Sequence, residues 1–335
     1  MEFDRRVTVI DAHNAGEPMR LVTGGVPYLK GKNMSEKQEY FKNNFDYIRK
    51  FVMHEPRGHS DMFGGIMCAP SSPEADLGII FFDAGNYYHM CGHGAMAIGK
   101  IAVETGLCEK KEGINELILD TSAGLVKIEV NVENDKVSSV KMISNPAFLY
   151  KQDVLLNLED GLDIKIDIAF GGNFFALVDV SQFNKKIDQK HVNFFLKKGM
   201  EIIEKANREL EIEHPVEKHI NEVTDIMFHD LLEENIGKNV VVLGQGQYDR
   251  SPCGTGTTSR LAMMYFKNEI ALNEKFVHKS IIDSEFIAWV NRDLDIDGNK
   301  AVEIAIESKP QITGFADFIA SDDDEFKDGF LVKRS

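Results

Sequence analysis

Met90-Cys91-Gly92-His93-Gly94 and Pro252-Cys253-Gly254-Thr255-Gly256 each place a cysteine before a Gly-x-Gly turn. Residues 95–104 follow the first turn and residues 257–265 follow the second, and both segments have helical character. A cysteine at a helix N-terminus lies where the macrodipole and unpaired N–H groups favour thiolate over thiol. The glycines let the backbone approach a ligand closely, and its N–H groups can hold an anion. We therefore expect two thiols that face one small anionic substrate.

The composition is that of an ordinary globular protein, and 335 residues correspond to about two domains. The chain has 54 acidic against 38 basic side chains and a net charge of −16, which argues against nucleic acid and anionic membranes as partners. The N-terminus is charged and does not resemble a signal peptide. Apolar runs stay short of the roughly 18 residues that a membrane span needs. These features predict a soluble cytoplasmic protein.

The cysteines and histidines indicate neither a disulfide framework nor a metal site. The chain has four cysteines, Cys68, Cys91, Cys108 and Cys253. They form no C-x-x-C pair, and Cys68 and Cys108, which lack glycine turns, are expected to be packing residues. The loop 54–61 contains two histidines and two carboxylates, but their spacing matches no strong zinc motif. We expect no metal.

The order of the predicted elements indicates an internal duplication. In the first half we predict strands at 7–10, 20–25 and 75–83 and a helix at 35–52 before the first cysteine turn, and strands at 117–120, 124–130 and 137–143 after its helix. In the second half we predict strands at 164–169, 174–180 and 239–244 and a helix at 191–210, then strands at 281–282, 286–290 and 301–306. This repeated order predicts an α+β fold of two similar lobes with a cleft between them.

The three histidines between the second-half helix and the second cysteine turn lie in a charged region. His214, His219 and His229 are interpreted as surface residues of a helical segment. Gly24-Gly25 and Gly171-Gly172 lack the strand–GxGxxG–helix context, so a dinucleotide site is not expected.

Two cysteines that face one substrate suit proton transfer at a carbon acid. One thiolate removes the Cα proton from one face, and the other thiol returns a proton to the opposite face, which inverts the stereocentre. A free thiol has a pKa near about 8.5, and burial raises it, so the helix N-terminus must outweigh burial for a thiolate to form. A carboxylate held on the same backbone N–H groups would help to delocalise charge as the proton leaves.

Several motifs give the chain a family resemblance. The matching stretches are 11–20, 55–62, 90–93, 167–174, Asp249-Arg250-Ser251-Pro252-Cys253-Gly254-Thr255-Gly256-Thr257 and 312–314. On these residues the chain resembles the proline racemase family, whose members use a cysteine pair and no cofactor. The motifs extend over nearly the whole chain, and the second cysteine block is long enough to be highly specific.

The resemblance implies a fold shared with diaminopimelate epimerase, in which each lobe wraps a β-sheet around a central helix. The C-terminal strand of that fold crosses back to the first lobe. We therefore expect a first lobe of residues 1–147 with 314–335 and a second lobe of residues 148–313. The resemblance also implies a homodimer.

The resemblance implies roles for residues at matched positions. Cys91 and Cys253 would be the two acid/base thiols. The backbone N–H groups that would hold the carboxylate belong to Gly92, His93, Gly94, Gly254 and Thr255. His93 and Asp249 would contact the ring nitrogen, and Phe63 and Leu243 would line the pocket around the ring.

The substrate implied is proline or 4-hydroxyproline. Phe63 is the residue that proline racemases carry at its position, whereas Leu243 departs from the expected phenylalanine. Leu243 leaves room for a ring hydroxyl but offers it no hydrogen bond, and a buried, unpaired hydroxyl costs about 1–3 kcal/mol. Apolar walls therefore favour proline over 4-hydroxyproline. Relatives that dehydrate trans-3-hydroxyproline replace the first cysteine with a hydroxyl residue, so Cys91 argues against that activity.

Overall fold

The computed structural model describes residues 5–244 and 246–332. The chain divides into two compact units, the first from Met1–Met142 with Lys309–Ser335 and the second from Ile143–Ser308. Each unit combines strands with two long helices. In the described residues no helix has the length and apolar character that crossing a membrane requires.

The first unit is a sheet that surrounds one helix. Its elements are β1 (Arg5–Asn14), β2 (Glu17–Gly24), α1 (Met34–Met53), β3 (Phe63–Cys68), β4 (Leu77–Asp83), β5 (Tyr87–Tyr88), α2 (Gly92–Glu104), β6 (Gly113–Thr121), β7 (Gly124–Glu133), β8 (Lys136–Ile143) and β18 (Gln311–Ala320). The strands pair in the order β18-β1-β2-β3-β4-β6-β7-β8, with β5 beside β4. The pairs β2–β3 and β4–β6 are parallel, and the crossovers between them contain α1 and α2.

The two helices of the first unit differ in burial because their sequences differ. Helix α2 is almost wholly apolar apart from Lys100 and Glu104, and its buried residues include every position from Gly92 to Gly99. Such a helix is stable only when it is enclosed, and α2 contacts β1, β2, β3, β7 and β18. Helix α1 has one apolar face, whose Phe41 and Phe51 belong to the same hydrophobic cluster as Phe82 of β4. The sheet therefore holds α2 inside and α1 outside.

The second unit has the same plan. Its elements are β9 (Phe148–Asn157), β10 (Asp163–Phe170), β11 (Phe174–Asp179), α3 (Val192–Glu209), β12 (Val223–Glu233), β13 (Ile236–Leu243), β14 (Gln247–Tyr248), α4 (Gly254–Phe266), β15 (Phe276–Lys279), β16 (Glu285–Ile296) and β17 (Asn299–Ser308). The strands pair in the order β9-β10-β11-β12-β13-β15-β16-β17, with β14 beside β13. Again two pairs, β11–β12 and β13–β15, are parallel, and α3 and α4 lie in their crossovers.

The pairing pattern of the two units is therefore the same strand for strand. The internal duplication predicted from the element order is present in the topology. The two units differ in where their first strand comes from. In the second unit it is β9, which directly precedes β10 in the chain, whereas in the first unit it is β18, from the end of the chain.

Most predicted elements agree with the structure, but the strand predicted at 281–282 is wrong. The helices predicted at 35–52 and 191–210 are α1 and α3. Residues 281–282, predicted to be a strand, form a turn instead. The backbone N–H of Ser280 donates to the carbonyl of Ser284, and Asp283 between them has a left-handed backbone conformation (φ 63°). The strand at this place is β15, and it was missed because its polar His278 and Lys279 obscure the apolar pattern.

The three histidines are predicted from the sequence to be surface residues of a helix. His219 is exposed as predicted, but none of the three lies in a helix. The region between α3 and β12 is not helical, and His214 is buried there against the ring of Phe170, with 4.6 Å between ring centroids. His229 lies on β12. Burial, with Arg260 and Lys267 nearby, holds the pKa of His229 well below its usual value.

Candidate active site

Cys91 is the N-cap residue of the enclosed helix α2. Its backbone is extended (φ −142°), and its carbonyl accepts the first helical hydrogen bond from Ala95. The side chain is buried, and its Sγ lies 3.4 Å from Nδ1 of His93, the second residue of the helix. A Cβ on Gly94 would lie 3.2 Å from the same sulfur, a tight contact that the glycine avoids. The first turn thus brings the thiol, an imidazole and helix N–H groups together.

The imidazole of His93 has a defined position in the first unit. Phe63 from β3 packs edge-to-face on it, with 4.9 Å between ring centroids, and Tyr88 stacks on Phe63 at 5.4 Å. Asn14 of β1 donates a hydrogen bond to the carbonyl of His93. The structure therefore brings together three residues that the sequence singled out, Cys91, His93 and Phe63.

Cys253 occupies the same place before α4 but with a different backbone. Its φ is +65° and its ψ is 121°, a conformation that L-residues with a side chain rarely adopt. Such a residue costs on the order of 1–3 kcal/mol and persists only where the surroundings impose it. The backbone N–H of Cys253 donates to Oγ of Ser251, and its carbonyl accepts from Thr257.

The sulfur of Cys253 accepts a hydrogen bond from the N–H of Gly256 and lies 3.5 Å from Oγ1 of Thr255. Both groups stabilise a thiolate, as predicted for a helix N-terminus. Burial outweighs them, however, and together with the charge of Asp249 it raises the pKa of Cys253 well above its usual value. In the free protein Cys253 is therefore a thiol, which differs from the thiolate that its helix position favours.

Because of this pKa, we expect the alkylation of Cys253 by iodoacetamide to accelerate with pH and to continue to rise above about pH 9. An unperturbed thiol would level off there, since its pKa is near about 8.5. The rate is measured by mass spectrometry of the peptide that contains Cys253. A rate that reaches its plateau at or below pH 9 would contradict this environment.

Each strand pair that leads to a cysteine turn ends in an apolar residue opposite a buried carboxylate. In the first unit Phe63 pairs with Asp83, and in the second Leu243 pairs with Asp225. Asp83 accepts from two backbone N–H groups and from the hydroxyl of Tyr88. The two pocket residues predicted from the sequence thus belong to equivalent terminal pairs of their ladders but lie on opposite strands, Phe63 on β3 and Leu243 on β13.

Asp225 is a site residue that the sequence reasoning missed. Burial raises its pKa to about 6, although Thr224, Asn173 and the N–H of Gly244 donate hydrogen bonds to it. Its charge, like that of Asp249, raises the pKa of Cys253. The available signal was a single carboxylate inside the apolar segment 223–228, which is unusual for a buried strand.

Asp249 and Gly171 shape the start of α4. Asp249 is buried, and its carboxylate accepts the N–H of Ser251, two residues before the cysteine. Gly171, after β10, lies against the first turn, because a Cβ there would be 2.4 Å from the carbonyl oxygen of Thr255 and 2.6 Å from the nitrogen of Ser259. Gly254 and Thr255 are the first two residues of α4, whose N–H groups cannot bond within the helix.

In the part of the chain that the structure describes, no group of three or more histidine, cysteine or acidic side chains is arranged to hold a metal ion. Side chains of the loop 54–61 instead make contacts within the first unit. His54 bonds the carbonyl of Ala84, and Arg57 lies over the ring of Phe51.

The comparison with known families covers almost the whole chain. The family model described as "Proline racemase" matches residues 9–331. The chain belongs to the proline racemase family. Family membership agrees with the resemblance carried by the two cysteine blocks.

Curated members of the proline racemase family differ in the activity for which they are named. A proline racemase of Clostridioides difficile is 41% identical over 99% of this chain and 100% of its own. Proline racemase A of Trypanosoma cruzi is 38% identical over 100% of this chain and 84% of its own. A trans-3-hydroxy-L-proline dehydratase of Bacillus cereus is 36% identical over 99% of this chain and 100% of its own.

Solved structures of the family share the fold. A hydroxyproline epimerase from Agrobacterium vitis with bound trans-4-OH-L-proline has a TM-score of 0.89 at 26% identity, covering 99% of this chain and 97% of its own. A probable proline racemase from Agrobacterium radiobacter has a TM-score of 0.88 at 27% identity, covering 97% and 96%. A Bacillus anthracis protein of the PhzF family (TM-score 0.60, 17% identity, 95% and 99% covered) shows the same fold more distantly.

These findings confirm the predicted α+β class and the prediction of an isomerase of the proline racemase family.

Proposed function

We propose that this protein is a cofactor-independent racemase that interconverts L- and D-proline. The observation that carries the proposal is that each unit presents a buried cysteine as the N-cap of its enclosed helix, Cys91 on α2 and Cys253 on α4. Two such thiols supply the two acid/base groups that inversion of Cα requires. The named activity of the relatives at 41% identity supports the same reaction.

In the proposed mechanism one thiolate removes the Cα proton of proline and the thiol of the other cysteine delivers a proton to the opposite face. The reverse reaction exchanges these roles, so either enantiomer is a substrate. The N–H groups at the starts of the two helices hold the carboxylate and stabilise the charge that develops as Cα loses its proton. We assign these N–H groups to Gly92, His93, Gly94, Gly254 and Thr255.

His93 and Asp249 are assigned to the ring nitrogen of the substrate. Both are buried next to a proposed acid/base thiol, His93 beside Cys91 and Asp249 where its charge acts on Cys253. A carboxylate suits a cationic ring nitrogen. The two thiols are chemically different, since Cys91 has an imidazole neighbour and Cys253 lies near two carboxylates.

Proline is the preferred substrate in this proposal because the assigned walls, Phe63 and Leu243, offer a ring hydroxyl no hydrogen bond. Phe63 is itself fixed between the rings of Tyr88 and His93. An unpaired buried hydroxyl costs about 1–3 kcal/mol, which corresponds to a factor of about 5 to 150 in kcat/KM.

We therefore expect kcat/KM for L-proline to exceed that for trans-4-hydroxy-L-proline by about fivefold or more. The measurement is the initial loss of optical rotation with each amino acid under the same conditions. Equal values, or a preference for the hydroxylated ring, would favour the alternative function.

The alternative is a 4-hydroxyproline 2-epimerase, which uses the same two thiols. The structural similarity to the hydroxyproline epimerase of Agrobacterium vitis supports it, and Leu243 leaves space beside the ring. A dehydratase is a weaker candidate because Cys91 is a thiol where the resemblance gives dehydratases a hydroxyl residue. A homodimer and a cytoplasmic location remain predictions.

A further inference from the structure

A buried polar cluster lies behind the second cysteine turn. It consists of Asn239 on β13, Thr257 and Arg260 on α4, and His278 on β15, and each of these side chains is at most 2% exposed. The cluster joins the paired strands β13 and β15 to the helix in the crossover between them. Thr257 ends the second cysteine block, but none of the four side chains is assigned to the substrate, and the mechanism proposed above does not use them.

Arg260 sets the direction of the hydrogen bonds in the cluster. Its guanidinium can only donate, and its Nη1 lies 3.0 Å from Nε2 of His278. The amide nitrogen of Asn239 lies 2.7 Å from Nε2 and 3.2 Å from Nδ1 of the same ring. Nε2 is therefore the acceptor, and the proton of the ring is on Nδ1. Burial and the charge of Arg260 hold the pKa of His278 well below its usual value, so the ring is neutral.

The chain of hydrogen bonds continues from the ring of His278 to the backbone of Pro252. Nδ1 of His278 donates to Oγ1 of Thr257 at 2.8 Å, and the hydroxyl of Thr257 is then free to donate to the carbonyl of Pro252 at 3.2 Å. The amide of Asn239 donates to the same carbonyl at 2.8 Å. Two buried donors thus fix the peptide that links Pro252 to Cys253.

That peptide is where the backbone needs support, because Cys253 has φ of +65°. Rotation of the Pro252 carbonyl would change the φ of Cys253 and move its sulfur away from Gly256 and Thr255. The first unit needs no such support, since Cys91 has an ordinary extended backbone. A strained residue held by a fully buried network is typical of a functional position.

We propose that Asn239, Thr257, Arg260 and His278 are positioning residues that hold the strained backbone of Cys253 and thereby aim its sulfur. The role in turnover rests on the proposed function of Cys253 as an acid/base group. Thr257 is the link that can be removed with the least change of shape, because valine replaces its hydroxyl by a methyl group. Serine keeps the hydroxyl and is the conservative variant.

The test compares Thr257→Val, Thr257→Ser and Thr258→Val. Thr258 is the matched control, since it is buried in the same helical turn and its hydroxyl donates within the helix, to the carbonyl of Gly254. We expect Thr257→Val to lower kcat for proline by about tenfold or more with KM changed by less than about threefold. Thr257→Ser and Thr258→Val should each keep kcat within about threefold of the wild-type value.

A second readout does not depend on turnover. The rates at which iodoacetamide alkylates Cys253 and Cys91 are measured in the same sample by mass spectrometry. Thr257→Val should change the rate at Cys253 and leave that at Cys91 as it is, and Thr257→Ser should restore the wild-type rate. This readout tests the positioning even if proline proves not to be the substrate.

The proposal is overturned if Thr257→Val leaves the alkylation rate of Cys253 unchanged, or if Thr258→Val alters it equally. If Thr257→Val does not fold, Asn239→Leu replaces it, because leucine is similar in size and removes the other donor to the carbonyl of Pro252. An unchanged alkylation rate of Cys253 in that folded variant would likewise overturn the proposal.

Discussion

Cys253→Ser is expected to abolish the racemisation of proline. A serine hydroxyl is a far weaker acid than a thiol, so it neither donates the proton to Cα nor becomes an anion that can remove one. Loss of one acid/base group lowers kcat by about 10²- to 10⁴-fold, while the N–H groups proposed to hold the carboxylate remain. The activity is measured by polarimetry with L-proline and with D-proline.

Cys91→Ser should have the same effect in both directions, because inversion needs both groups. The matched control is Cys108→Ser, which changes a half-buried cysteine outside the two cysteine turns. We expect this control to keep the wild-type rate within about twofold. Full activity of either active-site variant would mean that the remaining thiol acts alone, which would exclude the mechanism proposed here.

Gly171→Ala is expected to lower the free energy of unfolding by about 3 kcal/mol and to reduce activity. The added Cβ would lie 2.4 Å from the carbonyl oxygen of Thr255 and 2.6 Å from the nitrogen of Ser259. Both are backbone atoms of α4, so the contact cannot be relieved by a rotamer change. The start of the helix, which contains the N–H groups proposed to hold the carboxylate, has to shift instead.

The comparison for this prediction is Gly24→Ala, at the end of β2. The nearest atoms to a Cβ there belong to Thr8 at 3.4 Å, an ordinary contact, and Gly24 does not have a positive φ. We expect its free energy of unfolding to stay within about 0.5 kcal/mol of wild type. Urea denaturation of both variants provides the measurement. A Gly171→Ala protein as stable as Gly24→Ala would show that the close approach to α4 is not required.

The parts of the fold that depend on local sequence could be predicted. The helices after the two cysteine turns and the amphipathic helix at 35–52 could be predicted from local patterns, whereas a sheet wrapped on a central helix was implied by the family resemblance. The duplication was visible for the same reason, as the order of elements repeats even though few residues match outside the cysteine turns.

The features that could not be predicted depend on partners distant in the sequence. Asp225 is tied to Asn173 and pairs with Leu243, and His278 is tied to Asn239 and Thr257. A single sequence does not show these pairings. The same limit explains the error at His214, whose burial is created by Phe148 and Phe170 of two strands.

The protonation of Cys253 depends on two opposing effects, and the structure is needed to tell which of them is larger. The helix N-terminus could be predicted from Gly254 and Gly256, and it favours the thiolate. The burial of the sulfur and the charge of Asp249 depend on the folded unit, and together they raise the pKa of Cys253 instead. A substrate with a cationic nitrogen near Asp249 would reduce that opposing charge, which links substrate binding to ionisation.

The central claim is that the protein exchanges the Cα proton of proline through two thiols. Its most direct test is the wild-type protein in D₂O, with proline followed by proton NMR and by chiral separation. We predict that the Cα signal disappears as deuterium enters both enantiomers, starting from either one, and that Cys253→Ser prevents the interconversion. A Cα signal that persists with the wild-type protein would contradict the claim.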